Sequence, residues 1–141
     1  QPEAAASLAA PGAKSAVVED RRGLTVLVRN ALFRRVRLMD LDQPDKLGAL
    51  DKDWGYGVHE WEDTLDDYYD EHEYVNIDAK ARSGELFILD ESKENSEHAW
   101  KVRQIIDDSD GDHDWAITGT VDLDATQSSG EVVFFDYSVS N

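Results

Sequence analysis

The chain has 141 residues, no cysteine and a formal net charge of −17, so disulfides, thiolate metal sites and a cysteine nucleophile are excluded. The length suits one domain around one hydrophobic core. No apolar run approaches the roughly 18 residues of a membrane span, and the opening QPEAAASLAAPGAKS lacks the basic start and long apolar stretch of a signal peptide. A cytoplasmic location is expected.

The charge is unevenly placed. Residues 1–43 hold seven basic side chains (Lys14, Arg21, Arg22, Arg29, Arg34, Arg35, Arg37) against five acidic ones, while the remainder holds seven against 26. So negative a remainder repels a phosphate backbone, whose affinity rests on Lys and Arg displacing counterions. Direct nucleic-acid binding by this chain alone is therefore not expected, and neither is membrane binding. The first residue is Gln1 rather than methionine, which predicts a piece excised from a larger protein.

Residues 1–21, rich in Ala with Pro2, Pro11 and Gly12, read as a flexible linker ahead of a folded domain at 22–141. Leu24, Leu27, Val28, Ala31, Leu32, Val36 and Met39 follow helical spacing and predict a helix over 22–39. Pro44 suits a first helical turn, giving a short helix over 44–51. Asp53 to Gly57 break the chain. Val58, Trp61, Leu65, Tyr68 and Tyr69 then predict a third helix over 57–70, whose exposed remainder carries Glu60, Glu62, Asp63, Asp66, Asp67 and Asp70.

Beyond that helix the period changes to two. Tyr74, Val75 and Ile77 suggest a short strand, and Glu85–Asp90 a firmer one. Ala99–Ile106 follows, with Trp100, Val102 and Ile106 on one side. Trp115, Ile117, Gly119, Val121 and Leu123 alternate with Ala116, Thr118, Thr120 and Asp122 over 115–123. The last strand, about 131–139, is expected to place Val133, Phe135, Tyr137 and Val139 on one face. Turn-rich joints at 92–97, 107–114 and 125–130 separate these strands at hairpin distances. Helices first and strands second is the α+β arrangement: three N-terminal helices packed on a curved antiparallel sheet of four to five strands. That element order is similar to the cone of nuclear-transport-factor-2-like (cystatin-like) domains.

Three stretches carry a family resemblance: LTVLVRNALFRRVRLMDL (24–41), WEDTLDDYY (61–69) and above all WKVRQIIDDSDGDHDWAITGTVDLDAT (100–126). Together they resemble the C-terminal domain of unknown function of actinobacterial superfamily II DEAD/DEAH-box RNA helicases, over about residues 22–139. Ser109 and Asp110 depart from the proline-containing turn usual there. The resemblance implies a parent enzyme that hydrolyses ATP with magnesium and unwinds RNA. No G-x-x-x-x-G-K-[ST] loop occurs in this chain, so no catalytic residue is carried over and no cofactor is expected of the fragment itself.

Five aspartates crowd one loop, Asp107, Asp108, Asp110, Asp112 and Asp114, together with His113. Hard cations favour such carboxylates. Aligning Gly111 with the glycine of a calcium-binding helix-loop-helix nevertheless puts Ile106 and Ile117 where acids are required, so a solvated hairpin with Asx turns is the expectation. His113 and Asp114 suggest an acid/base pair, but adjacent strand residues face opposite ways; His113 is expected to tie to local backbone. His59, His72 and His98 show no metal-ligand spacing and are assigned to the surface. Trp61, Trp100 and Trp115 read as core, whereas Trp54, between Asp53 and Gly55, suits an exposed partner contact. Arg29, Arg34, Arg35 and Arg37 could meet RNA phosphates in an intact parent protein, but pairing with the acidic third helix and the 107–114 loop, or with another domain, is the expectation.

These features point to a non-catalytic accessory module that docks on a helicase motor or another protein partner. Two rivals stand beside it. One is a small-molecule-binding or enzymatic cone lined by Trp100, Tyr137 and a buried carboxylate. The other is a homodimer joined through Ile105, Val132 and Phe134 on the outer sheet face.

Overall fold

The computed structural model describes residues 20–141. Apart from Asp20 and Arg21, the expected linker lies outside the described residues. Helix α1 (Arg21–Asp40) begins where the Asp20 carboxylate accepts from the backbone N–H groups of Arg22 and Gly23, at 3.3 and 3.2 Å, satisfying donors that the first turn leaves free. Leu24, Val28, Leu32, Val36 and Met39 form its buried stripe. Helix α2 (Pro44–Asp51) starts on proline and runs into a 3₁₀ turn, Lys52–Trp54, ended by Gly55 at φ 80°. Helix α3 (Val58–Glu71) buries Trp61, Thr64, Leu65 and Tyr68.

The strands follow as β1 (Phe87–Asp90), β2 (Ala99–Ile105), β3 (Ala116–Asp122) and β4 (Phe134–Ser140). They pair antiparallel in chain order as one four-stranded meander. Two short helices punctuate it: α4 (Glu94–Glu97) before β2, and α5 (Leu123–Ser129) before β4. A single core joins α1, α2 and α3 to one face of the sheet through residues such as Leu32, Leu47, Trp61, Trp100, Ile117 and Val121. The fold is α+β, as expected. No described helix is long and apolar enough to cross a membrane.

Four expectations need correction. The strand at Tyr74–Ile77 is reduced to one bridge, Val75 to Asp108, because only Val75 of that stretch is buried while Tyr74 and Ile77 are exposed. The strand expected from Glu85 begins only at Phe87, after a 3₁₀ turn at Gly84–Leu86. The joint at 125–130 is helix α5, capped by Asp122, whose carboxylate accepts from the Ala125 N–H at 3.0 Å. Its polar sequence has no apolar stripe to announce it; only Thr126 is buried.

The fourth correction concerns β4. Phe134, Tyr137 and Val139 are buried while Phe135 is 41% exposed, so strict alternation fails between 134 and 137. Thr118 pairs with Ser138 but Thr120 pairs with Phe135, leaving Asp136 and Tyr137 opposite Gly119. Asp136 takes φ 49°. This bulge shifts the side-chain phase by one residue and turns Phe134 into the core. A Cβ on Gly119 would lie 3.2 Å from the Tyr137 ring and 3.3 Å from that of Phe134, so glycine leaves room for both rings. Of the residues named for a dimer contact, Phe134 is buried, Val132 packs partly buried against the core and Ile105 is half-buried.

Helices α2 and α3 approach closely at Gly48, where an added Cβ would be 2.5 Å from the Val58 nitrogen and 2.7 Å from its Cα. Backbone cannot retreat as a flexible side chain does. Gly48→Ala is expected to cost about 1–3 kcal/mol by forcing α2 from α3, whereas Gly84→Ala, with nothing within 4 Å, changes stability by about 1 kcal/mol at most. Denaturant unfolding distinguishes them, and equal midpoints would refute the close approach.

Candidate functional site

Two buried polar centres and one basic face hold the side chains most able to do chemistry or bind. The first centre is the Asp51 carboxylate at the end of α2, fully buried. Its Oδ1 accepts from Arg35 Nε and Nη2 at 3.2 and 2.8 Å and from Trp54 Nε1 at 2.9 Å. Its Oδ2 accepts from Trp61 Nε1 at 3.0 Å and the Tyr137 hydroxyl at 2.7 Å. Arg35 also donates to the Ala31 carbonyl at 2.8 Å and lies over the Phe134 ring, 5.5 Å from its centroid. Burial pushes the Tyr137 hydroxyl well above its ordinary pKa, and the Asp51 charge adds to this, so it remains a neutral donor.

This centre corrects two expectations. Arg35 pairs with neither the third helix nor the 107–114 loop, because it lies among Leu32, Val36 and Met39 on the core side of α1; its carboxylate partner among the described residues is Asp51. Trp54 is not a free surface aromatic: it is half-buried, packs edge-on to Phe134 at 5.6 Å and is tied to Asp51. The residues named for a ligand cone are core as well. Trp100 is 1% exposed and donates to Glu94 Oε1 at 2.8 Å; Tyr137 is 8% exposed and donates to Asp51. A carboxylate with five donors around it has no open position for a substrate.

The second centre joins the end of α3 to the loop between β2 and β3. His72, expected at the surface, is buried. Its Nδ1 lies 2.7 Å from Asp110 Oδ2 and 3.5 Å from Asp108 Oδ1, and its Nε2 lies 3.1 Å from Asp114 Oδ1. With a carboxylate at each ring nitrogen, both nitrogens donate and the ring is the imidazolium. Burial opposes that charge, but the hydrogen bonds to Asp110 and Asp114 and the Asp108 charge outweigh it, so the His72 pKa is raised.

The loop is the expected hairpin connection with an Asx turn, Asp110 N–H to Asp108, but it is solvated only in part. Asp107 and Asp108 are buried. Asp108 Oδ1 accepts from the N–H groups of Asp110 and Asp112 at 2.9 and 3.0 Å, and its Oδ2 from that of His113 at 2.7 Å. Burial alone would raise the Asp108 pKa, yet these three donors and the His72 charge hold it below the ordinary value. His113, at φ 54°, meets Asp107 Oδ1 at 2.8 Å through Nε2, while Asp114 meets His72.

His72 with Asp108, Asp110 and Asp112, or with Glu71 and Asp114, brings candidate ligand atoms within 4.8 Å of one another. A cation there would have to displace the His72 proton, and in the first set it would compete with three N–H groups for Asp108 as well. Glu71 is engaged too, accepting from Trp115 Nε1 at 3.1 Å and Asn141 Nδ2 at 2.9 Å. His59 and His98 are exposed, beside Glu62 and Asp124.

The third feature is the solvent face of α1. Arg34 and Arg37 are exposed and Arg29 half-buried, and Arg82 joins them from the segment before β1. None of these four is within 4.0 Å of a carboxylate among the described residues. The expected pairing of Arg29, Arg34 and Arg37 with the third helix or the aspartate loop is therefore not made either. Arg82 went unnoticed in the sequence because it stands alone there and joins the cluster only through the fold.

Together these features define an α+β module in which the buried charged side chains Arg35, Asp51, His72, Asp107 and Asp108 each meet an ionisable partner. The chain matches the family described as a domain of unknown function (DUF3516) over residues 1–139, and it belongs to that family. No curated protein matches the chain, and no solved structure matches it.

Two outcomes test the centres. Asp51→Ala leaves Arg35 buried without its counter-ion and is expected to cost about 3–5 kcal/mol; a loss below about 1 kcal/mol in denaturant unfolding would contradict the bonding described. For His72, a folded-state pKa above the ordinary 6.5 means its stabilisation is complete below pH 6.5 and lost as pH rises through the folded value. Asp108 behaves oppositely, losing its contribution as pH falls below 3.8 and through its depressed value. An NMR titration should place the His72 midpoint above 6.5; a midpoint below it would refute the imidazolium.

Proposed function

We propose that this domain is a non-catalytic accessory and regulatory module of an ATP-dependent RNA helicase, docking on the motor or on a protein partner. The reading starts from the signature WKVRQIIDDSDGDHDWAITGTVDLDAT. One observation carries it furthest: this stretch corresponds to β2, the loop that clasps His72, and β3. Its aspartates, which in isolation suggest metal or acid–base chemistry, hold a loop to a helix. ATP and magnesium belong to the parent motor, in the cytoplasm.

The second support is the face of α3. Glu60, Glu62, Asp63, Asp66, Asp67 and Asp70 are all exposed along it, and such a stripe can occupy a basic groove as a phosphate chain does. The test adds the 141-residue chain in trans to the motor lacking it and measures RNA-stimulated ATPase. The rate is expected to change at low salt, less so at high salt and less with Glu62→Gln, Asp63→Asn and Asp66→Asn combined. An unchanged rate at saturating domain in low salt would sink the proposal.

A further inference from the structure

Arg29, Arg37 and Arg82 are held in place by rings and backbone or amide groups, and together with Arg34 they have no acidic partner among the described residues. Phe33 lies beneath them, 3% exposed. The guanidinium carbons of Arg37 and Arg82 stand 5.6 and 4.6 Å from its ring centroid, and that of Arg29 stands 5.2 Å from the Phe87 ring. Arg29 Nη2 donates to the Arg82 carbonyl at 2.7 Å, and Arg82 Nη2 donates to Asn30 Oδ1 at 3.3 Å. Two shallow hollows of about 200 and 210 Å³ share Asn30, Phe33 and Arg82; Arg29 borders one, Arg34 and Arg37 the other.

Arg22 and Arg103 also lack a carboxylate within 4.0 Å among the described residues, but neither borders these hollows. Arg21 bonds Glu91 and Glu94, and Arg35 bonds Asp51. Acidic side chains outnumber basic ones by 31 to 14, so carboxylates were abundant; nevertheless four cations gather here, against their mutual repulsion, with none. A shared anion relieves that repulsion. Ring contacts occupy the faces of three guanidinium groups and leave N–H edges for a ligand, and a planar guanidinium fork matches phosphate oxygens two at a time. No lysine borders either hollow.

We propose that Arg29, Arg34, Arg37 and Arg82 form a binding site for a compact phosphate dianion, such as a nucleotide or a phosphorylated side chain carries. Compactness follows from the charge distribution. Screening over about 8 Å at physiological salt lets a small dianion respond to the local arginines, whereas a long nucleic acid also meets the acidic remainder. The site is separate from the acidic α3 face and does not depend on the docking reading.

The test titrates the 141-residue chain with inorganic pyrophosphate while following the arginine side-chain N–H resonances. Saturable shifts at the four arginines are expected, with sodium chloride at equal ionic strength producing none. Arg34→Gln with Arg37→Gln, both at exposed positions, should weaken pyrophosphate binding about tenfold or more while circular dichroism stays native; Arg82→Gln is a second variant should that pair unfold. Parallel titrations with adenosine 5′-monophosphate and with a phosphoserine peptide separate the sources, the tighter one identifying the natural carrier. Shifts equal to those from chloride, binding unchanged in the folded variants, or affinity for single-stranded RNA that climbs with its length at equal phosphate concentration would each overturn the proposal.

Discussion

The Asp51 carboxylate organises this fold. Five hydrogen bonds reach it from α1, the 3₁₀ turn after α2, α3 and β4, so both helical and sheet layers are referenced to one atom pair. Hydrophobic burial brings the layers together but does not by itself choose an orientation. A buried ion pair is weak evidence of net stability, since removing two charges from water costs several kcal/mol or more per ion. Its contribution is geometric. Trp54, Trp61 and Tyr137 each have a single side-chain N–H or O–H to donate, and placing all three on Asp51 fixes their rings while leaving no buried donor unmet.

The His72 centre repeats that logic near the surface, with a different outcome. Asp108 serves as a local template: its two oxygens gather the N–H groups of Asp110, Asp112 and His113 and so shape the loop. His72 then anchors the shaped loop to α3. Burial makes the ring costly to charge and the aspartates make it costly to leave neutral; the aspartates win. A row of acids that resembles a catalytic or metal-binding motif is thus understood as a clasp between an α-helix and a β-connection. The basic face differs: among the described residues Arg29, Arg37 and Arg82 meet rings, a carbonyl and an amide but no carboxylate.

Much of the layout was legible because it obeys two periods. The 3.6-residue stripes of α1 and α3 and the alternation along β2 are burial patterns, and the structure displays them; β3 is buried along most of its length, so its alternation in sequence marks the strand without marking an exposed face. His72 was legible by the same rule and was overlooked: it stands four residues beyond Tyr68, continuing the buried stripe Trp61, Leu65, Tyr68. Arg35 was obscured by its charge, since a guanidinium among leucines makes sense only once Asp51 is known to face it. The β4 bulge had no local cue, because it depends on Gly119 of the neighbouring strand. The likeness to nuclear-transport-factor-2-like cones rested on element order; what the structure establishes is the α+β class and the meander.

The bond from Tyr137 to Asp51 spans 86 residues. Helices α1 to α3 close locally, but their charged centre remains one donor short until the last strand arrives. A chain from which β4 has not yet emerged would hold an arginine–aspartate pair open to water, and consolidation of the centre would await that strand. Contacts of such long sequence separation slow folding and make it cooperative, so cutting off β4 would loosen the helices at the opposite end of the sequence as surely as it would fray the sheet.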